Sequence, residues 1–263
     1  MNRTFTIIIV LSLGVGLCAC EALESARGAQ SLIQIVQGPT PTEATEWALD
    51  PYSPNNRYRG TMYLVHQSWA GAPEYLQLYV DAVADADAGV RAAGVRGLAL
   101  HGDPSHVPLL VSALTDPDSI VRTDAARALQ RIHNPVAIGP LINAIQIARE
   151  ASELVRTEAA HALGQYAERR VIDALIAVFD DPSLAVNEAT RSSLRTLTGQ
   201  DFEYDIRAWV EWTSDNPNVF EARSAYTYPA FWRDKRLIEW LPFMPQAPNE
   251  SASYPVGSSP TIP

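Results

Sequence analysis

A Val-Arg pair returns through the middle of this chain at nearly fixed intervals, and each time it brings the same neighbours with it. Residues 115–129 read TDPDSIVRTDAARAL, 150–163 read EASELVRTEAAHAL, and 85–98 read DADAGVRAAGVRGL. Aligned on that pair, Arg91, Arg122, Arg156 and then Asn187 are separated by 31, 34 and 31 positions. The leucine seven positions later keeps those steps through Leu98, Leu129, Leu163 and Leu194. So do Leu110, Leu141 and Leu175, and Leu114, Ile145 and Phe179. A step of 34 back from the first unit reaches Arg57, Leu64, Leu76 and Val80, which makes five units, the outer two degraded. A period in the thirties demands stacked supersecondary units, because one unit alone cannot bury its apolar face.

Within a unit, Ala125, Ala126, Leu129 and Ile132, then Ile138, Leu141, Ile142 and Ile145, fall at helical spacing, so each unit reads as helix, tight turn, helix. Gly102-Asp103-Pro104 and Asn134-Pro135 break the pair internally, while Asp116-Pro117 and Asp181-Pro182 separate units. Asp before Pro is expected to cap a helix start, with Pro in the first turn. Alanines at 125–126 and 159–160 allow close helix approach. An acid stands six positions ahead of each of three arginines, as Asp85 and Arg91, Asp116 and Arg122, Glu150 and Arg156. Stacking should line these up as an alternating structural ladder along one edge.

The pattern D-P-x-x-x-V-R-x-x-A-A-x-A-L resembles the HEAT-like repeats first described in phycobilisome lyases, over about residues 57–213. The resemblance implies an all-α, armadillo-type fold, a right-handed α-solenoid of about five helix pairs, and says little of function. One activity it raises is attachment or detachment of bilin chromophores, which nothing else in the sequence supports.

The ends differ from the middle. Residues 3–17, RTFTIIIVLSLGVGL, place a positive charge before an apolar run too short for a comfortable membrane span. Leu17-Cys18-Ala19-Cys20 follows and resembles the lipobox of bacterial lipoproteins, which implies cleavage after residue 19 and an acylated Cys20; an ordinary cleaved signal is the alternative. Residues 1–19 are thus a signal peptide, 20–50 a tether, and 51–214 the solenoid. Residues 215–248 form a Pro- and aromatic-rich C-terminal extension, and 249–263 a disordered tail. In 198–212, Phe202, Ile206, Trp209 and Trp212 are spaced for one helix face and should close the open end of the core, cofactor stacking being the weaker reading. Within the extension, AFWRDKRLIEWL suits one amphipathic helix, docked on the solenoid or contacting an interface or partner.

A net charge of -10, with Lys235 the only lysine, argues against nucleic acid, whose affinity rests on cations neutralising phosphates. After processing the chain would hold no free thiol. His101, Asp103 and His106 are the best local metal-ligand cluster, but their spacing is loose and the turn accounts for them. His161 reads as packed or hydrogen-bonded, and His66 and His133 have no partner visible in sequence. No phosphate loop, G-x-S-x-G elbow or H-E-x-x-H occurs, so no catalytic residue, cofactor or metal is assigned.

The repeat register also sets the outward positions of the second helices, which usually line the concave side of such a stack. These are Glu74, Leu78 and Asp81; Pro108, Ser112 and Thr115; Gly139, Asn143 and Gln146; Asp173, Ala177 and Asp180. From this row, Glu74, Asp81, Ser112, Asn143, Gln146, Asp173 and Asp180 form the candidate partner groove, the alternative being plain solvated faces. The expectation is a non-enzymatic, lipid-anchored interaction scaffold or assembly factor in the bacterial cell envelope, with a protein partner. A bilin-lyase-like enzyme and a small-ligand binder using the C-terminal aromatics are the alternatives.

Overall fold

The computed structural model describes residues 39–229, 234, 249 and 251–258. The signal-like segment, Cys18, Cys20 and the AFWRDKRLIEWL stretch, apart from single positions, lie outside them. The chain divides into two compact units, 1–42 with 233–248 and 43–232 with 249–263, and the helices among the described residues belong to the second, apart from the first two residues of the first helix.

Eleven α-helices and no strand occur among the described residues. They are α1 (Pro41–Ala48), α2 (Pro54–Val65), α3 (Pro73–Val83), α4 (Ala88–His101), α5 (Val107–Ala113), α6 (Ser119–Arg131), α7 (Ile138–Ala144), α8 (Glu153–Leu163), α9 (Arg169–Ile176), α10 (Leu184–Thr198) and α11 (Ile206–Asp215). From α2 onward they form five pairs. The first helices pack in file, α2 on α4, α4 on α6, α6 on α8 and α8 on α10.

The repeated apolar positions are the core. Leu98, Leu129, Leu163 and Leu194 are fully buried, as are Ala125, Ala126, Ala159 and Ala160. Each buried leucine contributes about 1.5–3 kcal/mol of apolar transfer. Where a side chain would block contact there is glycine: a methyl at Gly97 would lie within the Tyr79 ring, and one at Gly60 would collide with the α1 backbone at Ala44 and Ala48.

Helix starts follow local chemistry, though not at the expected residue. Asp118, not Asp116, caps α6 by accepting from the Ile120 N–H at 2.8 Å, and Asp87 caps α4 by accepting from Val90. Asp103-Pro104 does combine cap and first-turn Pro, opening the 3-10 turn Pro104–His106 that leads into α5. Asp116 is freed for another task.

That task is the ladder. Arg91 Nε and Nη2 donate to the two carboxylate oxygens of Asp116 at 2.7 and 2.8 Å. Arg57 binds Asp85 at 2.7 and 2.9 Å, Arg122 binds Glu150 at 2.6 and 2.9 Å, and Arg156 binds Asp181 at 2.8 and 3.0 Å. Each arginine therefore grips the acid of the following unit rather than the acid six positions before it. To its own unit it gives Nη1, which donates to the backbone carbonyls of Asp85 and Ala86, of Asp116 and Pro117, or of Glu150 and Ala151. Each carboxylate in turn accepts the N–H two residues on, from Asp87, Asp118, Ser152 or Ser183. A second set of pairs joins first helices, Arg96 to Asp124 at 2.8 Å and Arg127 to Glu158 at 2.8 Å.

Both ends depart from the sequence expectation. Residues 41–48, assigned to a tether, are helical, with Ala44 and Ala48 buried, because Gly60 gives α1 a seat on α2. Residues 251–258, assigned to a disordered tail, lie against the end of α6. Val256 N–H donates to the Arg131 carbonyl at 2.7 Å, and the His133 N–H donates to the Val256 carbonyl at 2.8 Å. Backbone pairing of this kind needs no apolar periodicity, so composition could not reveal it. At the last pair Trp209 is fully buried and Phe202 packs on it edge to face, whereas Ile206 is 40% exposed and is not a core residue.

Burial alone would raise the carboxyls of Asp85, Asp116 and Glu150, but the arginine and backbone N–H bonds together outweigh it and hold all three below their ordinary values. A lowered folded-state value stabilises the fold above the ordinary value of 3.8 for Asp and removes that contribution as pH falls through the shifted one. Urea midpoints should therefore hold steady from neutrality to about pH 5 and drop steeply below about pH 4. A flat profile to pH 2.5 would contradict the ladder's role. Asp181→Ala strands Arg156 in a rung where both side chains are at most 4% exposed, and should cost about 3–5 kcal/mol in urea unfolding. Asp85→Ala, in the more open rung with Arg57, should cost less; the reverse order would show that burial does not set the worth of a rung.

Candidate functional site

The second helices carry the site. α5 and α7 have seven residues and α9 has eight, against eleven to fifteen for α4, α6, α8 and α10. Their inward positions, among them Leu110, Leu141 and Leu175, are fully buried. Helical geometry then fixes which positions face water.

Glu74, Asp81, Pro108, Ser112, Thr115, Asn143, Asp173, Ala177 and Asp180 are exposed, and Leu78, Gly139 and Gln146 are half-buried. Gln77 donates to Asp81 at 2.8 Å, Arg149 donates to Gln146 at 3.1 Å, and Arg169 meets Asp173 at 3.3 Å. The row is thus small, polar and acidic, as its residues dictate, and α3, α5, α7 and α9 add no aromatic anchor to those positions.

Sequence reasoning missed what closes its C-terminal end. Between α9 and α11 lies a cleft of about 430 Å³, lined by Arg169, Asp173, Ile176, Ala177 and Asp180 on one side and Ile206, Val210, Thr213 and Ser214 on the other. Ile206 is 40% and Val210 47% exposed, so the cleft has an apolar wall beside two acids of the row. The signal was present as an i, i+4 apolar pair, Ile206 and Val210, but the neighbouring Trp209 drew the core assignment.

The histidines resolve into local structure. His101 Nε2 lies 2.9 Å from the Val65 carbonyl, and its ring stacks on Tyr79. His106 and Asp103 close a capping box, and the hydrogen bond from Ser105 is the main reason the Asp103 carboxyl sits below its usual range. His161 is pushed below its ordinary value by burial, with Glu158 opposing. Among the described residues no group of three His, Cys, Asp or Glu side chains is placed to hold a metal, and no helix is long and apolar enough to cross a membrane. Cys20, the proposed lipidation site, lies outside the described residues.

Residues 76–146 match the family of HEAT repeats, and residues 155–181 match the PBS lyase HEAT-like repeat. No curated protein matches the chain. Among solved structures, the Escherichia coli protein YibA is similar at 18% identity over 74% of this chain and 80% of that one, with a TM-score of 0.51. A designed armadillo repeat protein aligns at 18% identity over 68% of this chain and 94% of that one, with a TM-score of 0.47. The complex of CpcE and CpcF of phycocyanin lyase from Nostoc sp. PCC7120 aligns at 21% identity over 66% and 97%, with a TM-score of 0.35. The repeat register, the paired helices and the two family matches identify residues 76–146 and 155–181 as HEAT-like repeats, in an all-helical HEAT/armadillo-type fold.

Proposed function

We propose that this chain is a non-enzymatic scaffold or assembly factor that holds a segment of a partner protein along its second-helix row, at a lipid-anchored station in a bacterial cell envelope. The observation that carries the reading is the joining of the exposed acidic row to the apolar cleft between α9 and α11. A short, small side-chain surface admits a backbone closely, and an apolar recess at one end supplies the anchor that such surfaces otherwise lack. The acids favour a partner segment that is basic along its length and apolar at one end. Lipid attachment is supported by the apolar run before Leu17-Cys18-Ala19-Cys20. The lone lysine and the net charge of -10 count against nucleic acid as partner.

The test is affinity capture from detergent-solubilised envelope with the full-length chain as bait, beside the double variant Asn143→Arg, Asp173→Arg and the variant Val210→Arg. A protein retained by the wild type and lost, by about tenfold or more, with both variants is the expected result, since each places a bulky cation on the row or in the cleft. All three baits should unfold at similar urea concentrations because the substituted positions are exposed. Equal retention by all three would refute the row as the binding face. Separately, cells labelled with palmitate should mark the wild-type chain and leave Cys20→Ser unlabelled; label on the variant would remove Cys20 as the anchor.

A further inference from the structure

Near the ends of α6, α8 and α10, one position of the repeat register sits beside a second segment of the chain or beside open space. Arg131, Gln165 and Thr196 each stand nine positions after the Arg122, Arg156 and Asn187 register. Two of these three joints are occupied by other segments of the chain itself. At the first, Val256 N–H donates to the Arg131 carbonyl at 2.7 Å and the Val256 carbonyl accepts from His133 N–H at 2.8 Å, a parallel bridge pairing Val256 with Ile132. At the third, Ser224 N–H donates to the Thr196 carbonyl at 2.9 Å.

The middle joint carries the register counterparts of these groups, unpaired among the described residues. Its acceptor is the Gln165 carbonyl and its donor the Ala167 N–H, the counterparts of the Arg131 carbonyl and the His133 N–H, and neither makes a hydrogen bond among the described residues. Flanking the occupied joint, Gly257 packs against Pro104, while Pro255 is buried. Pro104 stands thirteen positions after Arg91, and thirteen after Arg122 stands Pro135, which borders the empty joint.

The space there is a cleft of about 400 Å³, walled by Gln165–Glu168, by Arg223–Tyr226 and by Tyr254, Pro255, Gly257 and Ser258. One of its residues, Tyr226, carries a buried hydroxyl with no partner among the described residues. The floor is fixed before any ligand arrives. Gln165 Nε2 donates to the carbonyls of Leu129 and Ala162, its Oε1 lies 3.0 Å from His133 Nδ1, and the His133 ring stacks on Tyr166 at 4.9 Å.

We infer that the Gln165–Ala167 joint is a peptide-binding site that takes an extended Pro-x-Gly segment of a partner protein, seated as the chain seats its own Pro255-Val256-Gly257 one unit earlier. The middle residue of the segment donates its N–H to the Gln165 carbonyl and accepts from the Ala167 N–H, and its glycine rests against Pro135. Because Val256 is itself 52% exposed, the middle side chain points to solvent and its identity is free. Recognition is then by main chain, by the proline and by the absence of a side chain after the bridge, the logic of strand addition to an open backbone edge.

The probe is the capped synthetic peptide Ser-Tyr-Pro-Val-Gly-Ser, fluorescently labelled and titrated into the full-length chain by anisotropy. Saturable binding is expected. Pro135→Arg, at an exposed position, should weaken it by about tenfold, and so should a peptide with Val in place of its Gly, since each removes one contact and adds a clash. Pro104→Arg, which touches the occupied joint, should leave the affinity within about twofold or tighten it. No saturable binding overturns the inference. So does binding that ignores Pro135→Arg but responds to Pro104→Arg, because the peptide would then be displacing the chain's own tail. The capture experiment on the second-helix row has a different outcome variable, so either site can fail alone.

Discussion

One guanidinium bound in two directions holds this stack together. In each of the middle units the arginine gives one nitrogen to carbonyls of its own joint and two to the carboxylate of the next, so the joint that opens a unit is fixed by the unit before it. Arginine alone suits this geometry, since its planar fork offers parallel donors to a carboxylate with a further donor left over. The last rung is the most buried, at 4% and 2% side-chain exposure for Arg156–Asp181 against 17% and 14% for Arg57–Asp85. A salt bridge so deep contributes less to net stability than to register, because an unpaired partner there is strongly disfavoured. With first helices pinned edge to edge, the short second helices are left to present side chains rather than to hold the stack.

How much of this the sequence discloses depends on whether a feature is periodic. The buried leucines, the alanines and the outward row follow from helical phase, and phase is readable wherever Leu129, Leu163 and Leu194 keep step. The ladder's residues are legible for the same reason, but not their pairing. Arg91 and Asp85 are six apart in sequence, while the observed partner Asp116 is twenty-five away and is brought near only by stacking. Helix α1 and the 251–258 segment were illegible on other grounds. The first is seated by a missing side chain, Gly60, and the second by main-chain bonds to Arg131 and His133, neither of which leaves a hydrophobic pattern. The α9–α11 cleft was missed because the last pair breaks the period: Trp209 takes the core position and turns Ile206 and Val210 outward.

The ends show how a repeating array stops. At the first rung Arg57 still needs carbonyls of a preceding joint, and Asp50, just before α2, supplies one at 3.0 Å. Its carboxylate accepts from the Asn56 side chain and from the Tyr52 N–H, which lower it below its ordinary value. At the other end Asn187 stands where arginine would, and its amide keeps the inward half of the role by donating to the Asp181 carbonyl at 2.9 Å. The outward half is gone, and its Oδ1 is buried without a partner among the described residues. Substituting Asn for Arg removes the reach to a next unit while retaining the bond to its own. The chain thus ends its ladder by shortening one side chain, and Trp209, stacked on Phe179 and met edge-on by Phe202, fills the core of the last pair.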